Sequence, residues 1–383
     1  MSTHAILSPS SAVRWMTCPG SVELSKGFED IGSNAANEGS MMHAFAAKCL
    51  ETGTDAYGYV GQLDKDTNLV FQDKQAEDVQ FYVDTVRDIV KSTGGELFIE
   101  QRLPIAWMTG EDDAHGTADA VIIARDELIV VDAKFGFKEV DAEANPQLMM
   151  YAAAAYDNVK IAYDFATVRL VIVQPRLGAK PEWSLTVYDL MEFAVKVQMV
   201  TQEIAAGSDY LFPTAKGCQW CRANAICPAL KDQVLEDFDS VVPETADEDA
   251  LARVMANADM IENWIKAVRA EVERRLLAGE PVAGYKLVRG KRGNRQWSKL
   301  EDAEAMLKSM KVKHDHMYEY KLVSPTTVEK LAKADEIGPR QWAKIQALIT
   351  QSEGQPSVAP LSDKRPVLVT SAAVSDFDDV TAP

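Results

Sequence analysis

A chain of 383 residues, 47% hydrophobic and 26% charged, is long enough for one large or two ordinary domains and has the balance of a soluble globular protein. Its 40 basic and 58 acidic residues leave a net charge of −18, which argues against a non-specific nucleic-acid coat and requires any nucleic-acid groove to be local. No apolar run approaches the roughly 18 residues of a membrane helix, no basic-then-apolar leader opens the chain, and five cysteines are an odd number for a disulfide framework; a cytoplasmic protein without membrane contact is expected.

In chain order, residues 1–35 are polar and rich in Ser and Gly, with one apolar cluster around Trp15. Helices are expected over 38–50 and 74–90, the second ending before Gly94-Gly95. A strand over 96–103 closes at Pro104, and strands over 116–124 and 127–134 turn at Arg125-Asp126. Their β-branched, apolar runs suit a sheet interior. An Ala- and Met-rich helix over 142–156 precedes a buried strand at 168–174, a further strand at 183–188 and a helix over 189–206. The order describes an α/β core with a mixed sheet flanked by helices. A cysteine-rich loop occupies 213–230. The domain organisation expected is a core over 1–235, an appended helical region over 240–350, and a Pro-, Ser- and Asp-rich tail over 351–383 without periodicity. Within the helical region, helices fall near 247–278, 299–310 and 326–350, and a hairpin over 285–297 turns at Gly290–Gly293.

The chemistry gathers at two stretches, Gly116-Thr-Ala-Asp119 and Asp132-Ala-Lys134. Residues i and i+2 of a strand share a face, so Asp132 and Lys134 project together and Asp119 reaches them from the neighbouring strand. Two converging carboxylates repel unless a cation sits between them, and hard oxygen ligands suit Mg²⁺ or Mn²⁺. A lysine beside such an ion orients water and stabilises charge on a phosphate. Alone, Asp-x-Lys equally describes the exposed end of a strand. Around it stand Glu38-Gly39-x3-His43, Glu100 on the preceding strand, and Gln147-x3-Tyr151, whose i, i+4 spacing shares one helix face.

This motif order resembles the RecB-like branch of the PD-(D/E)xK nuclease superfamily, over roughly residues 11–230. The resemblance implies a restriction-endonuclease-like core. It implies that His43, Asp119 and Asp132 bind metal with the Ala133 carbonyl, that Glu100 is a further acid of the cleft, and that Lys134 is the catalytic lysine. Gln147 and Tyr151 match the motif that supports the active site and contacts substrate. Ala118 stands where the superfamily name has proline.

Cys218-x2-Cys221-x5-Cys227 is too compact for packing alone, and Cys18 lies far upstream. Thiolates in this number suit zinc or an iron–sulfur cluster. The arrangement resembles the iron staple of AddB-type and CRISPR-associated RecB-like nucleases, which implies a 4Fe–4S cluster on Cys18, Cys218, Cys221 and Cys227, with zinc as the alternative. Cys49 is left over and reads as a buried thiol.

The basic run over 284–299 carries Arg289, Lys291, Arg292 and Arg295, with Tyr285 and Trp297 flanking it. Cations interleaved with aromatics suit a DNA backbone and an unstacked base. Ser11-x3-Trp15-x2-Cys18-Pro19, Asn294-Arg295-x-Trp297 and Ser362-Asp363-Lys364-Arg365-Pro366 are similar to motifs of a phage and prophage family of unknown function. The end, Asp376-Phe377-Asp378-Asp379, is similar to acidic tails that dock on single-stranded-DNA-binding proteins. The expectation is a metal-dependent DNA exonuclease of phage replication or recombination. A nuclease-derived scaffold with a structural cluster is the alternative. No G-x4-G-K-[ST] motif accompanies it, so no ATP-driven motor is expected in this chain.

Overall fold

The computed structural model describes residues 5–28, 34–240, 248–286, 288, 300–310, 313, 318, 325–333 and 336–349. The chain divides into two compact units, Met1–Arg289 and Gly290–Pro383. The hairpin positions from Arg289 to Trp297 and the tail after 350 lie outside the described residues.

The first unit is built on five strands, β1 (Glu96–Pro104), β2 (His115–Ile123), β3 (Glu127–Ala133), β4 (Thr167–Val173) and β5 (Glu182–Leu185), lying in the sheet in chain order. Only β3 and β4 run parallel; the other neighbours are antiparallel. The parallel pair needs a crossover, supplied by α6 (Pro146–Val159). The continuous apolar run of β3 follows from burial on both faces. Leu128 and Val130 pack with Leu148 and Ala152 of α6 and with Leu190 and Ala194 of α7 (Val187–Ala205). Ile129, Val131 and Ala133 pack with Met41 and Phe45 of α3 (Asn34–Thr52) and with Val79 and Val83 of α4 (Asp73–Thr93). The expected mixed α/β architecture is therefore present, with helices on both faces of the sheet.

Two expectations are corrected. Helix α6 begins at Pro146, not near 142: Asn145 caps it, its side chain accepting from the N–H groups of Gln147 and Leu148 at 3.1 and 3.3 Å, and proline suits the first helical position. In the second unit, the helix expected over 326–350 is two, Pro325–Lys333 and Pro339–Gln346, separated at Gly338-Pro339. A proline cannot continue a helix through its missing N–H and its ring. The helix Leu300–Ser309 lies where expected.

Helix α10 (Glu248–Leu277) belongs to the first unit. Its Met260 is buried with Cys227 and with Leu230 of α9 (Pro228–Ser240), and Asp237 of α9, fully buried, accepts from Asn257 at 2.8 Å. The N-terminal segment is fixed through Trp15 on α1 (Ala12–Thr17), which is wholly buried in the α6–α7 layer and donates its indole N–H to the Ser8 carbonyl at 3.1 Å. Among the described residues, no helix is long and apolar enough to cross a membrane.

Candidate active site and cysteine cluster

The strand alternation slips at one place. On β1, Leu97 faces the α3–α4 layer and Phe98 the α6–α7 layer, yet Leu103 also lies in the latter. On β2, Ala118 packs with α6 whereas Ala120 and Ile122 pack with α3 and α4. The slip falls between the pairs Ile99–Ala120 and Gln101–Ala118, where Glu100 takes a left-handed φ of +47°. That conformation is costly for a residue with a side chain and concentrates at functional sites. It brings the Glu100 carboxylate to His43 and Asp119: the ligand atoms of all three lie within 4.8 Å of one another.

The β2–β3 ladder stops at Ala120–Val131, and there the Asp119 side chain takes over, its Oδ2 accepting from the Ala133 N–H at 2.7 Å. Its Oδ1 meets His43 Nδ1 at 3.1 Å. The alternation that sends Ile129, Val131 and Ala133 to α3 and α4 leaves Asp132 and Lys134 toward α6. Asp132 is buried, and its Oδ2 lies 2.7 Å from Lys134 Nζ. Lys134 Nζ also donates to Gln147 Oε1 at 3.0 Å, while Gln147 Nε2 approaches Asp132 Oδ1 at 3.3 Å and the Tyr151 hydroxyl at 3.2 Å. His43, Glu100 and Asp119 thus form one half of the site, and Asp132, Lys134, Gln147 and Tyr151 the other. Gly116 is required by close approach: a Cβ there would stand 2.7 Å from the Tyr151 ring and 2.9 Å from Pro9. At Gly39 a Cβ would meet nothing, so no packing contact explains that glycine.

The charges share one tendency. Glu100 is exposed at one side, yet desolvation of its carboxyl against His43 and Asp119 pushes it up, the Asp119 charge adds to it, and the value reaches about 7. Burial likewise raises Asp132 against the opposing charge of Lys134. For Lys134, burial opposes the charge, but Asp132 outweighs it and raises the ammonium. For His43, burial opposes the charge, and Asp119 outweighs it and raises the imidazole. Asp119 alone is lowered: burial works against it, and His43 with the Ala133 N–H prevails. Four of these five groups therefore hold their protons more tightly than usual, as an excess of buried negative charge requires; a bound cation inverts that logic. The imidazole of His43 and the carboxylates of Glu100 and Asp119 are a donor set that fits Mg²⁺ or Mn²⁺; Asp132 is not part of that group and is held by Lys134 and Gln147.

Several supports were not legible in the sequence. Arg176 bridges Glu38 at 2.8 Å and Asp78 at 3.0 Å, tying α3 to α4 beside the site, and its guanidinium stacks on the exposed Phe137 ring at 4.9 Å. Buried Gln174 donates to the Lys138 carbonyl at 2.8 Å and accepts from the Val140 N–H at 2.9 Å, pinning the loop after Lys134. Tyr82 packs against Phe135 at 6.5 Å, and Phe135 against His43 at 5.1 Å. Of these residues, Phe135 follows Lys134 and Glu38 belongs to the Glu38-Gly39-x3-His43 stretch, whereas Arg176, Asp78, Gln174 and Tyr82 stand beside no motif position in the sequence.

The second centre joins distant parts of the chain. Cys18, Cys218, Cys221 and Cys227 line one small cavity with Arg14, Ser21, Leu211 and Leu230. No disulfide is formed among the described cysteines. The Cys18 sulfur accepts from the Phe212 N–H at 3.3 Å, and the Ser25 hydroxyl lies 4.0 Å from the Cys221 sulfur. Burial pushes the Cys218 thiol up to about 11 and raises Cys227 as well. The four sulfurs share one cavity, which suits thiolate ligation, but among the described residues the group of three or more ligand atoms within 4.8 Å of one another is His43, Glu100 and Asp119, not the cysteines. Cys49 stands apart, wholly buried in α3.

Over residues 4–366 the chain matches the family described as "Protein of unknown function (DUF2800)", and it belongs to that family. Among solved structures it is similar to "Crystal structure of SSO0001", at 14% identity over 38% of this chain, with a TM-score of 0.24. The chain spans 65% of that structure's length.

Proposed function

We propose that this protein is a metal-dependent DNA exonuclease with a PD-(D/E)xK core of the RecB-like type, acting in phage DNA replication or recombination. The observation that carries the reading is the meeting of His43, Glu100 and Asp119 within 4.8 Å, beside a lysine ion-paired to Asp132. His43, Glu100, Asp119 and Asp132 would hold Mg²⁺ or Mn²⁺. When bound, such an ion lowers the pKa of a water ligand and polarises a phosphoryl oxygen.

The rest falls to the chain's own side chains. Asp132 keeps Lys134 protonated, so Lys134 serves as a fixed positive charge, orienting water and stabilising charge on the phosphate. Gln147 holds that ammonium and the Asp132 carboxylate from α6, and Tyr151 braces Gln147. The four convergent cysteines would hold a 4Fe–4S cluster. The basic run with Arg289, Lys291, Arg292, Arg295 and Trp297 would contact DNA, and the acidic tail a single-stranded-DNA-binding protein; both rest on sequence.

The test is digestion of end-labelled linear and closed circular DNA with Mg²⁺ or Mn²⁺, using protein purified without air. Linear DNA should be degraded and circles spared. Asp119→Ala, Asp132→Ala and Lys134→Ala should each abolish cleavage while DNA binding persists, because members of a unit are lost together. An active Lys134→Ala variant would show the site to be misplaced. Wild-type protein that cuts neither DNA nor RNA would leave the scaffold reading. The same preparation should be brown, with about four irons per chain if all four cysteines serve one cluster; colourless protein with one zinc would overturn the cluster and leave the nuclease reading intact.

A further inference from the structure

We infer that Arg14 is the built-in counter-charge of the cysteine site, a guanidinium set against the sulfurs to balance the charge they carry as ligands. The inference rests on the metal-site reading of these cysteines given above.

Arg14 sits on α1, one turn before Cys18, whose N–H donates to the Arg14 carbonyl at 2.9 Å. Its side chain is half-buried and lines the same cavity as all four cysteines. The guanidinium is held by neutral partners: Nη1 donates to the Ser21 hydroxyl at 3.1 Å and reaches the Ser21 carbonyl at 3.5 Å. Ser21 is itself buried, so this orientation is fixed from within. Among the described residues, no carboxylate pairs with Arg14. The nearby groups that bear on its charge are Cys221, a second cation, Arg222, and Cys18; Arg222 Nη1 donates to the Phe28 carbonyl at 3.0 Å.

A guanidinium stays protonated in proteins, and a cation taken from water without a counter-ion is costly. As thiols, four cysteines offer it no charge. As ligands they are thiolates, and four of them around a divalent ion, or a cluster core of equal charge, leave about −2. The anion missing from this pocket is therefore the loaded site. Arg14 should favour ligation and cost stability when the site is empty, the opposite of a residue that merely braces the fold.

The experiment uses the full chain, prepared without air, as wild type, Arg14→Gln and Arg14→Lys. Co²⁺ binding is followed by its thiolate charge-transfer absorbance, and urea unfolding is measured on the metal-free proteins. Arg14→Gln should weaken Co²⁺ binding by about 10-fold or more, the scale at which partners of metal ligands act, while the metal-free protein unfolds at the same or a higher urea concentration. Arg14→Lys, keeping the charge, should restore most of the affinity. Equal Co²⁺ affinity in all three proteins would overturn the inference, as would an Arg14→Gln protein that is unfolded or destabilised without metal. Wild-type protein that gives no thiolate signal with Co²⁺ and holds neither iron nor zinc as prepared would overturn the metal-site reading itself, and the inference with it.

Discussion

Replacing Gly116 by alanine perturbs the candidate site through packing alone. The added Cβ would lie 2.7 and 3.3 Å from two carbons of the Tyr151 ring and 2.9 Å from Pro9. Carbon contacts settle at about 3.5–4.0 Å, so the ring or the strand has to move by roughly 1 Å. Tyr151 is 5% exposed and belongs to the apolar layer of α6 and α7, which leaves its ring little room to move. Overpacking of this kind costs about 1–3 kcal/mol. The displacement also reaches the chemistry, because the Tyr151 hydroxyl, Gln147, Asp132 and Lys134 form one hydrogen-bonded and ion-paired chain. Urea unfolding of Gly116→Ala should show that loss, and its DNA cleavage should fall with it. On a Tyr151→Ala background the same substitution should cost less, since the obstructing ring is gone and only the contact with Pro9 remains. A cost below about 0.5 kcal/mol, or an equal cost on both backgrounds, would refute the packing argument.

Three further outcomes are expected. Asn145→Ala removes the side chain that caps α6 and should cost about 0.5–2 kcal/mol in urea unfolding; an unchanged midpoint would mean that Pro146 suffices to start the helix. The Tyr82 hydroxyl is buried without a hydrogen-bond partner among the described residues, so Tyr82→Phe should leave stability unchanged or raise it by about 1 kcal/mol, and a loss would point to a partner bound there. In metal-free protein, burial and then Asp119 lift Glu100 to about 7 from an ordinary 4.5, so the folded state binds the extra proton. That contribution to stability is fully present below 4.5 and lost as pH rises through about 7; Glu100→Gln should flatten the decline in unfolding midpoint over this window, and parallel pH profiles would contradict it.

The sheet was legible because its signals are local. The runs Leu128–Val131 and Val168–Val173 are apolar at every or nearly every position, as two-sided burial demands. Asp132, Lys134, Gln147 and Tyr151 could be grouped from strand and helix periodicity, and the structure brings them together. What stayed hidden depends on backbone irregularity or on long-range partners. Nothing in Ile99-Glu100-Gln101 announces a left-handed residue, yet that residue turns Glu100 toward His43. The pairing of Arg176 with Glu38 and Asp78 spans 138 and 98 positions and leaves no local pattern. The start of α6 was readable in Asn145-Pro146, but the alanine run around it extends helical composition upstream. The cysteine spacing pointed to one centre, while Arg14 lacks any motif and shows its place only once α1 is folded against the 218–227 loop.

The cavity shared by Cys18 and Cys227 also sets an order of events during synthesis. Residue 18 leaves the ribosome 209 positions before residue 227. At roughly 5–20 residues per second that is a wait of about 10–40 s. Every strand of the sheet and helices α3, α4, α6 and α7 are made within the interval, so the candidate nuclease site has its residues before the four sulfurs can meet. Trp15, buried against α6 and α7, needs no residue beyond 205 to find its pocket. It can park the N-terminal segment while Cys18 still lacks three of its companions. A ligand that needs all four cysteines can therefore be bound only after every residue of the acidic cleft has been made.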